Sequence, residues 1–212
     1  MLIKENDVKE ILDKHNINVK GVLHIGAHKC EEMPFYCNTL NIPPTQIIWI
    51  DAIQNEVYLS SHKGFPNVFC NVISDKDNES ILFYRTNNNQ SSSILELGTH
   101  RQEHPNVHVV ETTQMNTITI DSFFSNNGFD ARNFNFWNLD IQGAEYKALL
   151  GGIASLPFVD ALYLEVNVKE LYKGCTLLPE LDKFLTTHGF TMTKIIMTRH
   201  GWGDALFIRL KN

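Results

Sequence analysis

Apolar positions in this chain come in short blocks, and the spacing within each block changes along the sequence. Val8, Ile11 and Leu12 fall at helical intervals in an otherwise charged stretch and predict a short amphipathic helix within residues 1–15. Val19 to Ile25 is a mostly apolar run halted by Gly26, the pattern of a strand buried on both faces. A helix is expected over Lys29 to Leu40, with Pro34 admissible only in its first turns. Ile47 to Asp51 reads as a second buried strand, Ile53 to Ser61 as a helix and Val68 to Ile73 as a third strand. The order β-α-β-α-β predicts a parallel sheet with right-handed crossovers.

The middle of the chain breaks this rhythm. Ser80 to Arg85 is strand-like, Asn87 to Ser93 is a polar loop, and Val107 to Ile120 carries two β-rich pieces, 107–110 and 116–120. Residues 87–120 therefore read as an insertion. The rhythm resumes with a strand at Phe134 to Asp140, a helix at Ala144 to Leu150 closed by Gly151-Gly152, a strand at Val159 to Val166 and a helix at Leu178 to Thr187. Phe190 to Thr198 and Ala205 to Leu210 are joined too closely for a helical crossover and must pair antiparallel. The expected architecture is α/β: a Rossmann-like, mostly parallel seven-stranded sheet with one antiparallel C-terminal strand and helices on both faces, in a single domain over 1–212.

Composition narrows the function. A chain of 212 residues can bury a sizeable core, and its net charge of −6 comes without any cluster of Lys and Arg. Gripping a phosphate backbone needs such a cluster, so nucleic acid is not the expected partner. No apolar stretch is long enough to cross a bilayer. The first residues carry Lys4, Glu5, Asp7, Lys9, Glu10 and Asp13, a charged helix rather than a signal peptide. Cys30, Cys37, Cys70 and Cys175 contain no C-x-x-C pair, which fits reduced thiols in a cytoplasmic protein.

The candidate chemistry sits at strand ends. Gly26 closes the first strand where a helix should begin, a place where backbone N–H groups can meet an anionic ligand group. A dinucleotide fingerprint would want glycine also at 24 and 29, where His24 and Lys29 stand, so a nicotinamide oxidoreductase is disfavoured. Asp51 ends the second strand, the position from which a carboxylate binds ribose hydroxyls in doubly wound folds; capping the following helix is its other reading. Asn71, or Ser74 and Asp75, follows the third strand within reach of an adenine, or else makes simple turns there. Asp140 and Glu165 end two further strands, and carboxylates on neighbouring strand ends require a proton, a cation or a hydroxyl between them. His24 reads as a satisfied core imidazole or a ligand contact, and His28 as a site residue at a helix start. His100, His104 and His108 recur every fourth residue, but Pro105 and the extended run after it argue against a metal-binding face.

Together these segments resemble the FkbM family of S-adenosylmethionine-dependent methyltransferases. The resemblance rests on His24-Ile25-Gly26-Ala27-His28 with Glu31 and Glu32, on Ser91-Ser92-Ser93, on Thr119 to Phe123, and most strongly on the block from Asn138 through Asp140, Gln142 and Gly143 to Gly152. Glu165-Val166-Asn167 and Gly203 to Phe207 complete it, over about Val19 to Leu210. The family usually has an acidic residue where His24 stands. The resemblance implies the class I methyltransferase fold and O-methylation, often of sugar hydroxyls in glycans or polyketides. The expected S-adenosyl-L-methionine site is His24, Gly26, Ala27, His28, Glu31, Asp51, Ala52, Asn71, Val72, Ser93 and Asp140. Asp140 is the first choice of catalytic base, then Glu165 or His28. Metal-free catalysis is preferred to a divalent ion on Asp140, Glu165 and Asn167. The acceptor is expected to be a glycan or small molecule, and a catalytically inactive cofactor-fold module is the remaining alternative.

Overall fold

The computed structural model describes residues 1–210, with Tyr58 placed only as part of its helix, so the last two positions of the expected domain lie outside the described residues. The elements in chain order are α1 (Glu5–Lys14), β1 (Val22–Ile25), β2 (Ile47–Asp51), α2 (Gln54–His62), β3 (Val68–Cys70), β4 (Val72–Ile73), β5 (Ser80–Thr86), α3 (His100–Glu103), β6 (Val109–Ile118), α4 (Ile120–Asn126), β7 (Phe136–Leu139), α5 (Glu145–Leu150), β8 (Ala161–Asn167), α6 (Leu178–Thr187), β9 (Phe190–Met197) and β10 (Trp202–Arg209). Seven of the strands form one sheet in the order β3-β2-β1-β7-β8-β10-β9. Strands β3, β2, β1, β7 and β8 pair parallel, and β10 runs antiparallel to both β8 and β9.

This sheet is buried on both faces, which is why its central strands read as unbroken apolar runs. On one face Leu23, Ile50, Trp137 and Leu139 pack with Phe123 and Phe124 of α4, Ala148 and Leu149 of α5, and Leu181 and Leu185 of α6. On the other, Val22, Ile47, Trp49 and Phe136 pack with Val8 and Leu12 of α1 and with Phe35 and Tyr36. The chain winds outward from β1 to β3, then returns on the opposite side of β1 as β7. The crevice beyond the carboxyl ends of β1 and β7 is therefore the topological switch point, where open α/β sheets bind ligands.

Three stretches differ from the sequence expectation. Lys29 to Leu40 is not a regular α-helix: turns lead into a π-helical segment at Phe35–Thr39. His28 and Cys30 adopt left-handed φ values of 43° and 56°, which break a helix at its start, and side chains hold the turn there, Asp51 accepting from His28 N and Glu31 from Lys29 N. The run Val68 to Ile73 divides at Asn71, whose N–H still bonds the Asp51 carbonyl, after which β4 leaves to pair with β6. The two β-rich pieces of 107–120 are one ten-residue strand, β6, paired antiparallel with β5 in a second, three-stranded sheet ordered β4-β6-β5. Directly after it, Thr119 caps α4 by accepting the Ser122 N–H, and Ile120 belongs to that helix.

Candidate functional site

Gly26 sets the geometry at the switch point. It adopts φ +87°, and a Cβ there would lie 1.8 Å from the Asp140 carbonyl oxygen. The backbone is thus pressed against the end of β7, where Asp140 N donates to the Ile25 carbonyl at 2.9 Å. Gly26 N and Ala27 N both donate to the Ile50 carbonyl, at 2.8 and 3.0 Å. Asp51 completes the turn: its two carboxylate oxygens accept from His28 N and Ile53 N, each at 2.7 Å. One side chain therefore joins the loop after β1 to the entry of α2. Both alternatives read from the sequence remain compatible with this, because each oxygen keeps a further lone pair. Burial pushes the Asp51 carboxyl above the usual carboxylate range.

Two cavities meet here. The first is lined by Gly26, Asp51, Ala52, Asn71, Val72 and Ser93, with apolar walls from Ile50, Ile73, Phe83, Ile94 and Ile141. The second, of about 490 Å³, is lined by His24, Ala27, Glu31, Glu32, His100, His104, Tyr163, Glu165, Tyr172, Trp202 and Asp204. Gly26, His28, Gln90, Asp140 and Gln142 line both. The eleven residues of the expected cofactor site and the three candidate bases all border one cavity or the other, with Asp140 and His28 on the shared wall, whereas Ser74 and Asp75, the alternative to Asn71, border neither. Asn167 borders neither. Among the described residues no three His, Cys, Asp or Glu side chains gather as metal ligands.

The shared wall is rich in carboxyl groups. Asp140 faces open cavity space although protein surrounds it, and this burial, with the nearby Asp204 charge, raises its pKa. Glu165 is 5% exposed, and burial, reinforced by Asp140 and Glu145, holds it well above the usual carboxylate range. It therefore keeps its proton more firmly than an ordinary glutamate. Burial also pushes Glu145, whose Oε1 accepts from Ile141 N and Gly143 N, up to about 7. Asp204 accepts from the Tyr163 hydroxyl.

The imidazoles differ from one another. His24 is buried, with Nδ1 3.1 Å from the Tyr36 hydroxyl, and burial pushes it down to about 4, so it is neutral near pH 7. Asn138 Nδ2 donates to the same hydroxyl at 2.8 Å. His28 Nδ1 lies 2.9 Å from Glu31 Oε1. His100 begins the single turn of α3, and its ring lies 4.7 Å from that of His104, which lies 4.6 Å from that of His200. Sequence reading grouped His100 and His104 with His108; the fold brings them to His200 instead.

Gln142 was missed as a candidate. Its Nε2 donates to Asp140 Oδ1 and to Glu165 Oε2, both at 2.7 Å, and its Oε1 accepts from the Tyr172 hydroxyl at 2.5 Å. The available signal was its place directly after the strand-end Asp140 and before Gly143, a position suited to a sharp turn.

A search of curated proteins gave no match. Among solved structures the chain is similar to magnesium protoporphyrin IX methyltransferase (ChlM) from Synechocystis PCC 6803 with bound SAM, at 13% identity and a TM-score of 0.45, covering 97% of this chain and 77% of that one. It is similar also to a SAM dependent methyltransferase from Aquifex aeolicus, at 11% identity and a TM-score of 0.40, covering 96% and 89%. The CurJ carbon methyltransferase is matched at 12% identity and a TM-score of 0.46, covering 98% of this chain and 54% of that one. The Methyltransferase FkbM domain matches residues 12–192, most of the chain, and the protein belongs to this family of S-adenosylmethionine-dependent methyltransferases.

Proposed function

We propose that the chain methylates an oxygen, the hydroxyl of a sugar in a glycan, with Asp140 as the base. The observation that carries this reading is the position of Asp140 on the wall shared by the two cavities. The first cavity has the donor set of an adenosyl site: apolar walls for a purine, Asn71 for its edge, and the Asp51 carboxylate for ribose hydroxyls. S-adenosylmethionine supplies a methyl group already activated by its sulfonium. What is left to the protein is alignment, which can contribute roughly 7–11 kcal/mol, and removal of the acceptor's proton.

Asp140 suits that second task. Its Oδ1 is held by Gln142, and its raised pKa makes it a stronger base than an exposed aspartate. Burial shifts Glu165 toward its protonated form, which lessens the repulsion between the two carboxyl groups. The second cavity suits an uncharged, hydroxyl-rich acceptor. No Lys or Arg is among its lining residues, and the ammonium of Met1, which is, lies 3.9 Å from Glu32, so a phosphate or nucleotide group would have to compete with that carboxylate for it. Trp202 is half-buried on its wall and offers an aromatic plane to the apolar face of a sugar ring. The same lack of basic residues disfavours nucleic acid as acceptor.

The test is Asp140→Asn, which keeps shape and hydrogen bonding but removes basicity. Turnover should fall by roughly 10²–10⁴-fold, while affinity for S-adenosylhomocysteine stays near wild type. A variant with full turnover passes the role to Glu165 or His28.

A further inference from the structure

A protein that uses one of two adjacent carboxyl groups as a base must keep their protonation states distinct. The groups around this pair come from every side: His24 from β1, Glu145 from α5, Asp204 from β10, and Tyr172 from the segment after β8. Almost all of this surrounding charge is negative or neutral, and His24 is held neutral by burial. Left alone, such a site favours protonation of both carboxyl groups.

Gln142 is the group that opposes this. Its amide has two N–H donors, and both are spent on carboxyl oxygens, one on Asp140 and one on Glu165. Its orientation is fixed at the other end, because Tyr172 donates its hydroxyl hydrogen to Oε1 and also stands 3.3 Å from the Ser91 carbonyl. A flipped amide would set its NH₂ against that hydroxyl and its oxygen against two carboxyl groups. The backbone is fixed as well: Gln142 has φ +58°, in the left-handed region that a side-chain-bearing residue rarely occupies, and its carbonyl accepts from Ser93 Oγ at 2.9 Å. Non-glycine residues in this region concentrate where a site constrains the chain.

We infer that Gln142, oriented by Tyr172, is a positioning residue that holds the Asp140–Glu165 pair in its singly ionised form, one N–H on each carboxyl, with Asp140 the member that faces both cavities. Its two N–H groups bond more strongly to oxygens that carry negative charge, so together they oppose protonation of the second member of the pair. The remaining proton is shared in the direct hydrogen bond between Asp140 and Glu165. This inference rests on Asp140 as the base, but its first test does not need the acceptor.

The experiment titrates the side-chain carboxyl carbons of Asp140 and Glu165 by ¹³C NMR in the full chain with S-adenosylhomocysteine, using Asp140→Asn and Glu165→Gln spectra for assignment. The variant is Gln142→Gly, which deletes both donors and suits the left-handed backbone, so the fold is not put at risk by the substitution itself. The lower titration midpoint of the pair should rise by about one pH unit, a tenfold gain in proton affinity, because donors to the charged form are gone. Tyr172→Phe should shift it the same way by less. The acidic limb of the turnover profile should move up by the same amount, with activity recovering at higher pH. Unmoved midpoints in both variants would overturn the inference, as would a turnover loss that is equal at every pH. Should the midpoints move while Asp140→Asn keeps full turnover, the positioning role stands and the assignment of the base fails.

Discussion

Replacing Asp51 by alanine should weaken binding of S-adenosylhomocysteine by roughly ten- to a hundredfold. The carboxylate has about four acceptor positions, and His28 N and Ile53 N occupy two of them at 2.7 Å. The other two are available to ribose hydroxyls. A hydrogen bond to a charged group contributes about 1.5–3 kcal/mol, and 1.4 kcal/mol is a factor of ten, which gives the stated range. The same substitution removes the link between the loop after β1 and the entry of α2. Asp51 is only half-buried, so water can reach the two freed N–H groups, and the loss of stability should stay near 1–3 kcal/mol. Asp51→Asn should fall between alanine and wild type in both properties, because its oxygen can serve one N–H while its NH₂ opposes the other. Calorimetric titration with S-adenosylhomocysteine and urea denaturation without it separate the two effects. A folded Asp51→Ala protein with unchanged affinity would refute the ribose assignment, whatever its stability.

Gly26→Ala should destabilise the protein by more than the roughly 1–2 kcal/mol of a left-handed residue, since a Cβ 1.8 Å from the Asp140 carbonyl must also push β1 and β7 apart. Urea denaturation checks this, and a variant as stable as wild type would contradict the close approach. Trp202→Ala should raise KM for the acceptor with little change in kcat, measured in steady state; an untouched KM removes Trp202 from acceptor binding. Glu145 is held up at about 7 against an ordinary value near 4.5, so between those values the folded protein binds a proton that the unfolded chain releases. Its contribution to stability is full at and below pH 4.5, declines by about 1.4 kcal/mol per unit as pH rises to 7, and is then constant. Glu145→Gln should lack that decline. The comparison must be the difference between wild type and variant across a pH series, because His24 and His100, both held near 4, give the opposite slope between about 4 and 6.5. Parallel curves would show that Glu145 titrates normally.

How far the site was legible in the sequence depended on how each part is held. β1, β2, β7 and β8 were legible because burial on both faces leaves a run of apolar residues, and the end of such a run marks where a ligand-facing residue stands. Gly26, Asp51, Asp140 and Glu165 follow from that alone. The stretch Lys29 to Leu40 misled for the opposite reason. Phe35, Tyr36 and Leu40 do bury against the sheet, but His28 and Cys30 take left-handed φ values that an α-helix cannot continue through. The turn at His28 is held by Asp51, on another strand, which accepts its N–H, and local pattern cannot register a partner so distant in sequence. β6 was seen only in pieces because most of it is exposed, and its strand is held by hydrogen bonds to β5 rather than by an apolar face. Gln142 lay inside the most telling block of the sequence, yet its role depends on a left-handed backbone and on Tyr172 arriving from after β8. The same dependence explains why Gly26 matters beyond its turn. Its missing Cβ admits the backbone of Asp140, and that approach puts the proposed base on the wall between the two cavities. Cofactor turn and base are thus placed by one backbone contact, so a change that opens it should cost stability and turnover together.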